Sequence, residues 1–260
     1  MGILPNCKDP TLKALKSIGY NVVLLPRVDL RPTQLLVAND KRLSRLGEMA
    51  TVFVQRPGAP PLPAIGPDRP GPNIAITKTA ALDATVGLNI LGGLISALGG
   101  STLGLNLAFA KAAKIQMEYS GTKENAAEPA AIDQFLAGAG LNPFSKAAKD
   151  MLEADLVYVV TSTLKANKVN VTATDANKHA IGIDVPVLAN AVGGSMKVTA
   201  SSSTATTVTF EGEVPLAFAF QAIRLFFEDG AYRTFKPTAG GGLVAESVAS
   251  PFETDLLLRG

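Results

Sequence analysis

Between Asp83 and Lys111 the chain carries no charged side chain, and this run, "ATVGLNILGGLISALGGSTLGLNLAFA", limits the fold more than any other feature. So long an uncharged stretch either crosses a membrane as a helix or is shielded from water some other way. Its glycines, Gly87, Gly92, Gly93, Gly99, Gly100 and Gly104, do not decide between the two. Each weakens an isolated helix by roughly 1 kcal/mol relative to Ala, yet membrane helices tolerate glycine and "GSTLG" fits the small-xxx-small pattern. The period does decide. From Ser101 the odd positions read Leu103, Leu105, Leu107, Phe109, Lys111, Ala113, Ile115, Met117 and Tyr119, against Thr102, Gly104, Asn106, Ala108, Ala110, Ala112, Lys114, Gln116 and Glu118. A two-residue alternation of that length predicts a strand. The run therefore divides into a glycine-punctuated apolar helix over about 83 to 98 and the front half of a strand over 101 to 119. No span of about 20 helical residues remains, whereas a membrane-crossing β-strand needs only about 9 to 11 alternating residues.

The flanking segments mix helix and strand. "DPTLKALKSIG" opens with Asp9 as N-cap and Pro10 at the first helical position, and Gly19 ends it, which predicts a short amphipathic helix. "YNVVLLP" (20 to 26) and "TQLLVAN" (33 to 39) are β-rich, and "DKRLSRLG" (40 to 47) offers a further helical turn or two. Residues 57 to 72 hold seven of the seventeen prolines and form a loop within one domain. Residues 126 to 151 read as two helices broken at Gly140 to Pro143. Strands follow: 155 to 167 runs into 168 to 176, where Val169, Val171 and Ala173 oppose Asn170, Thr172 and Thr174, and 179 to 187 and 194 to 213 continue the alternation. Asp229-Gly230, inside the aromatic stretch 214 to 237, marks a hairpin turn. After Pro237 the chain is loose, then ends with Phe252, Leu256, Leu257 and Leu258, a greasy end that needs a body to rest on.

Charge and chemistry exclude several functions. A net charge of +2 over 260 residues gives no reason to expect nucleic-acid binding. The balance is uneven: residues 1 to 60 carry nine Lys and Arg against four Asp and Glu, while the last 23 residues carry three acids against Arg259. One cysteine and one histidine assemble neither an internal disulfide nor a Cys/His metal cluster. No glycine cluster is followed by Lys-Ser/Thr at P-loop spacing, and His179 sits beside Lys178 in a turn as an ordinary surface histidine. No cofactor, metal or enzymatic site is expected. "MGILPNCKDP" has no basic leading region, and Asn6 fails the myristoylation pattern, so the chain is expected to stay in a reducing cytosol.

Two features remain open on the residues alone. Cys7 is either an inert thiol or, between apolar "GILP" and a basic helix, a point where a fatty acyl chain attaches, adding about 0.8 kcal/mol of membrane affinity per buried methylene. The long ribbons are either the sheet of an α+β protein or strands that turn toward lipid once a covering helix leaves.

"CKDPTLKALKSIGYNVVLLPRVDLRPTQLLV" (7 to 37) resembles the N-terminal signature of the bacterial gasdermins, and "AFQAIRLFFEDGAY" (219 to 232) is similar to the strand region of gasdermin pore-forming domains. The resemblance implies an α+β fold with a twisted, mainly antiparallel β-sheet and peripheral helices. It implies a pore-forming domain over 1–237 and a cleavable linker with an autoinhibitory peptide over 238–260. The inactive monomer waits in the cytoplasm; a partner protease cuts it, with the cut expected at Gly242, Leu243 and Val244. The product then forms a homo-oligomeric pore in the lipids of the inner membrane and kills the cell in antiphage defence. By the same resemblance Cys7 carries a palmitoyl group, Phe252, Leu256, Leu257 and Leu258 make the tail contacts, and Leu103, Leu105, Leu107 and Phe109 lie on a membrane-inserting strand. A soluble lipid-binding module that stays monomeric after tail removal is the alternative.

Overall fold

The computed structural model describes residues 19–27, 29–39, 42–71, 81–97, 100–192, 196–237, 243–245 and 257–259. In chain order the elements are β1 (Asn21–Arg27), β2 (Gln34–Asn39), β3 (Arg42–Glu48), α1 (Met49–Val52), β4 (Phe53–Gln55), β5 (Arg69–Pro70), β6 (Leu82–Asp83), α2 (Ala84–Ala97) and α3 (Leu105–Ala108). There follow β7 (Lys114–Ser120), β8 (Lys123–Ala126), α4 (Pro129–Gly138), β9 (Ala139–Leu141), α5 (Lys146–Glu153), β10 (Val157–Thr174), β11 (Ile183–Asp184) and α6 (Val185–Val192). The last are β12 (Met196–Ala200), β13 (Thr204–Ala205), β14 (Thr207–Glu228), β15 (Ala231–Pro237), β16 (Leu243–Ala245) and β17 (Leu257–Arg259).

Thirteen of these strands form one sheet whose spine runs β17-β16-β1-β14-β10-β2-β3. All pairings but β1 with β16 are antiparallel among the described strands. β16 and β17 also lie beside β3, so the two ends of the spine curl toward each other. This α+β architecture, a mainly antiparallel sheet with helices around it, is the one expected.

The long strand β10 shows why the sheet has two halves. Residues 157 to 164 are buried without a break, because both faces are covered. Val157 and Val159 pack with Ile132 and Phe135 of α4 and Leu152 of α5, while Tyr158 and Val160 pack on the other side with Leu36, Leu43 and Phe220. Past Asn167 the burial alternates: Val169, Val171 and Ala173 point inward, as their sequence alternation predicts, and Asn170, Thr172 and Thr174 are half-exposed. The Asp229-Gly230 turn closes the β14–β15 hairpin with φ of 53° and 71°, the pair of positive angles a tight two-residue hairpin requires.

Several expectations hold. α2 occupies 84 to 97, α4 and α5 occupy the two predicted helices, and 57 to 68 is loop ahead of the two-residue β5. Others are corrected. The segment 40 to 47 is the strand β3 from Arg42, not helix, since pairing along β2 outweighs its local helical preference. The predicted strand over 101 to 119 begins only at Lys114: Gly104 sits at φ 88°, Leu105 starts a one-turn helix, and the buried residues are Leu105, Ala108 and Phe109. Their spacing of three and four is helical, and the apolar content of that segment satisfied both periods. The predicted strand over 179 to 187 is reduced to Ile183–Asp184, because the Asp184 carboxylate accepts the Val187 N–H at 3.1 Å and starts α6. The loose stretch after Pro237 contains the strand β16. The helix expected over 9 to 19 falls outside the described residues apart from Gly19.

Candidate functional site

The lower half of the sheet is a four-stranded antiparallel ribbon in the order β7–β10–β14–β12. Its registers place Tyr119, Val169, Phe210 and Val198 in one row, and Met117, Val171, Val208 and Ala200 in the next. These side chains share the face that packs under α2, α3 and α6, where Leu91, Leu94, Ile95, Leu105 and Leu188 are buried against them. The Tyr119 and Phe218 rings stack across it at 4.4 Å. The opposite face is polar: Thr172 and Thr207 hydroxyls lie 3.0 Å apart, Thr209 donates to Asn170 at 2.8 Å, the ion pair Lys168–Glu211 stands at its upper end, and the registers place Lys114, Glu118 and Lys197 on it as well. One face suits hydrocarbon and the other suits water.

The cover is tight but free of charge. At Gly87 of α2 a Cβ would stand 2.7 Å from the Ile115 Cβ of β7, so the helix backbone rests directly on the ribbon. No Asp, Glu, Lys or Arg occurs in 84–110 or in 185–196, the segments that hold α2, α3 and α6. Of the four residues predicted to insert, the structure buries Leu105 and Phe109 and leaves Leu103 79% and Leu107 74% exposed, as two prongs on either side of the Leu105 anchor. Among the described residues no helix is long and apolar enough to cross a membrane.

A single transverse line separates ribbon from body. β7 and β8 both pair with β10, and their break at Gly121 (φ 65°) and Thr122 lies between the pairs Ser120↔Lys168 and Lys123↔Lys165. On the other side of β10, Leu216 pairs with Ala166 and Glu211 with Lys168, so Gly212 to Pro215 face the lone Asn167. Pro215 cannot donate a ladder hydrogen bond, and a bulge is where a strand accommodates it. Asn167 donates to the Gly212 carbonyl at 3.2 Å. Three strands thus change register at one level.

The C-terminal segment docks at the edge of the body. β16 runs parallel to β1, with Val22↔Val244 and Val23↔Ala245, and β17 returns on its far side, with Val244↔Leu258 and Ala245↔Leu257. Of the expected tail contacts, Leu257 and Leu258 are therefore in a paired strand, and Phe252 and Leu256 lie outside the described residues. Of the expected cut residues, Leu243 and Val244 are in β16, Leu243 paired with Arg259 and Val244 paired on both sides, and Gly242 lies outside the described residues, as does Cys7.

Just before the tail-bearing residues of β1, Tyr20 is buried. Its hydroxyl donates to Glu124 Oε1 of β8 and lies 3.0 Å from Ser162 Oγ of β10, and Ser162 donates to the same Glu124 oxygen at 2.8 Å. Burial, and after it the hydrogen bond to Glu124, pushes the Tyr20 hydroxyl well above the usual phenol range, which keeps it a donor. Sequence offered no signal for this cluster, whose members lie 104 and 142 residues apart. Among the described residues no group of three or more His, Cys, Asp or Glu could hold a metal, and His179 pairs with Asp175 on the surface at 3.3 Å.

The chain matches the Bacterial Gasdermin Family over residues 23–231. It is 57% identical over 248 residues to a gasdermin of Lysobacter enzymogenes, covering 95% of this chain and 92% of that one. It is 37% identical over 235 residues to a gasdermin of a Desulfuromonadales bacterium, covering 90% and 88%. A solved bacterial gasdermin from Bradyrhizobium tropiciagri superposes with a TM-score of 0.61 at 20% identity, over 89% of this chain and 93% of that one, and shares its fold.

Proposed function

The chain belongs to the bacterial gasdermin family, and from that premise we propose that it is a protease-activated pore former, silent while its C-terminal segment is docked. The observation that carries this reading is the ribbon β7–β10–β14–β12, polar on one face and apolar on the other, with the apolar face hidden under a charge-free helical cover. Strands built that way satisfy a bilayer on one side and an aqueous lumen on the other, provided they close into a barrel with no free edge.

Below the register break β10 contributes residues 168 to 174, about 23 Å of strand. A membrane span needs about 9 to 11 residues, so the ribbon must lengthen. The added residues come from 84–113, which lead into β7, and from 175–206, between β10 and β14. Both segments contain uncharged runs, and Leu103, Leu105, Leu107 and Phe109 then pass into strand. Lys111 and Lys114 stay near headgroups or in the lumen, where a charge costs least.

Activation removes β16 and β17. A partner protease cuts within Gly242 to Val244, after β16 peels from β1, since a strand paired on both sides does not fit a protease cleft. The freed domain, 1–237, assembles with further copies in the inner membrane, and the leak kills the host cell as defence against phage. Cys7 carries a fatty acyl chain, palmitoyl by the family resemblance, that adds membrane affinity; intact mass from native cells shows the acyl increment and Cys7→Ala loses it. Electron microscopy of the clipped chain on vesicles tests the whole: closed rings are expected, and a dispersed monomer overturns it.

A further inference from the structure

We propose that Tyr20 couples the docked tail to β8, the body strand that continues from ribbon strand β7 across the register break, so that β8 is held in place only while β16 holds β1. The inference rests on the autoinhibited reading above and names the residue through which the inhibition acts. Three consecutive residues of one chain segment make three different attachments. Tyr20 donates its hydroxyl to Glu124 of β8, Asn21 donates from Nδ2 to the Phe220 carbonyl of β14 at 3.4 Å, and Val22 begins the backbone pairing with β16. A strand backbone is stiff over two residues, so β1 cannot move at Val22 without carrying the Tyr20 hydroxyl with it.

The acceptor is sensitive to that movement. Glu124 is half-buried, forms no ion pair among the described residues, and takes hydroxyl hydrogen bonds from Tyr20 and Ser162. A hydrogen bond weakens steeply once its distance or angle leaves a narrow range, and a carboxylate left with one donor fewer keeps its desolvation cost. Glu124 pairs with Leu164, the second pair above the register break at Gly121. Loss of Tyr20 therefore loosens the strand close to the point where ribbon and body separate. Loss of the tail frees one edge of β1 and has the same effect from a distance.

The test compares four proteins: wild type and Tyr20→Phe, each intact and ending at residue 242. Phe keeps the ring volume and removes only the donor. Amide exchange of Lys123 to Ala126 reads the coupling without reference to pores. Truncation of the wild type is expected to speed that exchange roughly tenfold, the scale of one hydrogen bond to a carboxylate. Intact Tyr20→Phe should show the faster exchange already, with no further gain on truncation, while the Val22 and Val23 amides stay as protected as in wild type. In vesicle dye release, intact Tyr20→Phe should leak roughly tenfold faster than intact wild type, and the two truncated proteins should leak alike. Glu124→Gln, which keeps an acceptor oxygen, should behave nearer to wild type. Unchanged β8 exchange on truncating the wild type overturns the coupling whatever the vesicles do, and so does loss of Val22 and Val23 protection in Tyr20→Phe. Silence of truncated wild type on vesicles, with the exchange pattern as expected, overturns the pore-forming reading and leaves the coupling standing.

Discussion

Val22 of β1 and Val244 of β16 are partners in the one parallel pairing among the described strands. Two residues of β16, Val244 and Ala245, make that attachment, and β17 pairs along its other side. So short a contact at a sheet edge sits at the low end of local stability, which is where a releasable element belongs. The body beneath it is held by long-range pairing of β10 and β14 along most of their lengths. Removing the tail therefore opens an edge without unfolding what it covered.

Val244→Pro should release the tail without any protease. β16 pairs on both sides, so the lost N–H breaks a ladder whichever neighbour it served. The intact variant is expected to leak dye from vesicles at a rate near that of the truncated chain. Retention of dye as in wild type would show that β16 pairing does not restrain the domain.

Leu103→Ser with Leu107→Ser should separate stability from activity. Both side chains are more than 70% exposed, so urea unfolding of the intact protein should shift by no more than about 0.5 kcal/mol, while the clipped double variant loses dye release. Leu105→Ala, at a buried position, should cost about 2–5 kcal/mol of stability. A double variant that still empties vesicles would place the membrane strand elsewhere.

These leucines also show where sequence was sufficient and where it was not. The face of the β10 ribbon, the Asp229-Gly230 turn and helices α2, α4 and α5 were legible because local periodicity and turn chemistry agreed with the final pairing. Residues 101 to 113 misled because Leu105, Ala108 and Phe109 satisfy a helical spacing inside an alternating pattern, and only packing against α6 and the ribbon selects between them. β3 misled because its partner strand decides its conformation. The register break left faint marks, a glycine at 121 and a proline at 215 inside strand-like runs, but their meeting opposite Asn167 is a fact of three-strand alignment. Tyr20 and Glu124 left none.

A cross-link between β6 and β7 should hold the cover shut. Asp83 and Lys114 are direct antiparallel partners, and such pairs have Cα atoms about 4.5–5.5 Å apart, within the range a disulfide spans. Asp83→Cys with Lys114→Cys, made in Cys7→Ala so that only the new thiols pair, is expected to block dye release by the clipped chain when oxidised and to restore it on reduction. Equal release in both redox states would mean that α2 does not leave the ribbon.

The most direct measurement compares dye release from vesicles by the chain of 260 residues and by the chain ending at residue 242, at equal concentration and without protease. The shorter chain is expected to empty the vesicles and the longer one to leave them sealed. Equal release from both, or a shorter chain that stays monomeric beside intact vesicles, would contradict it.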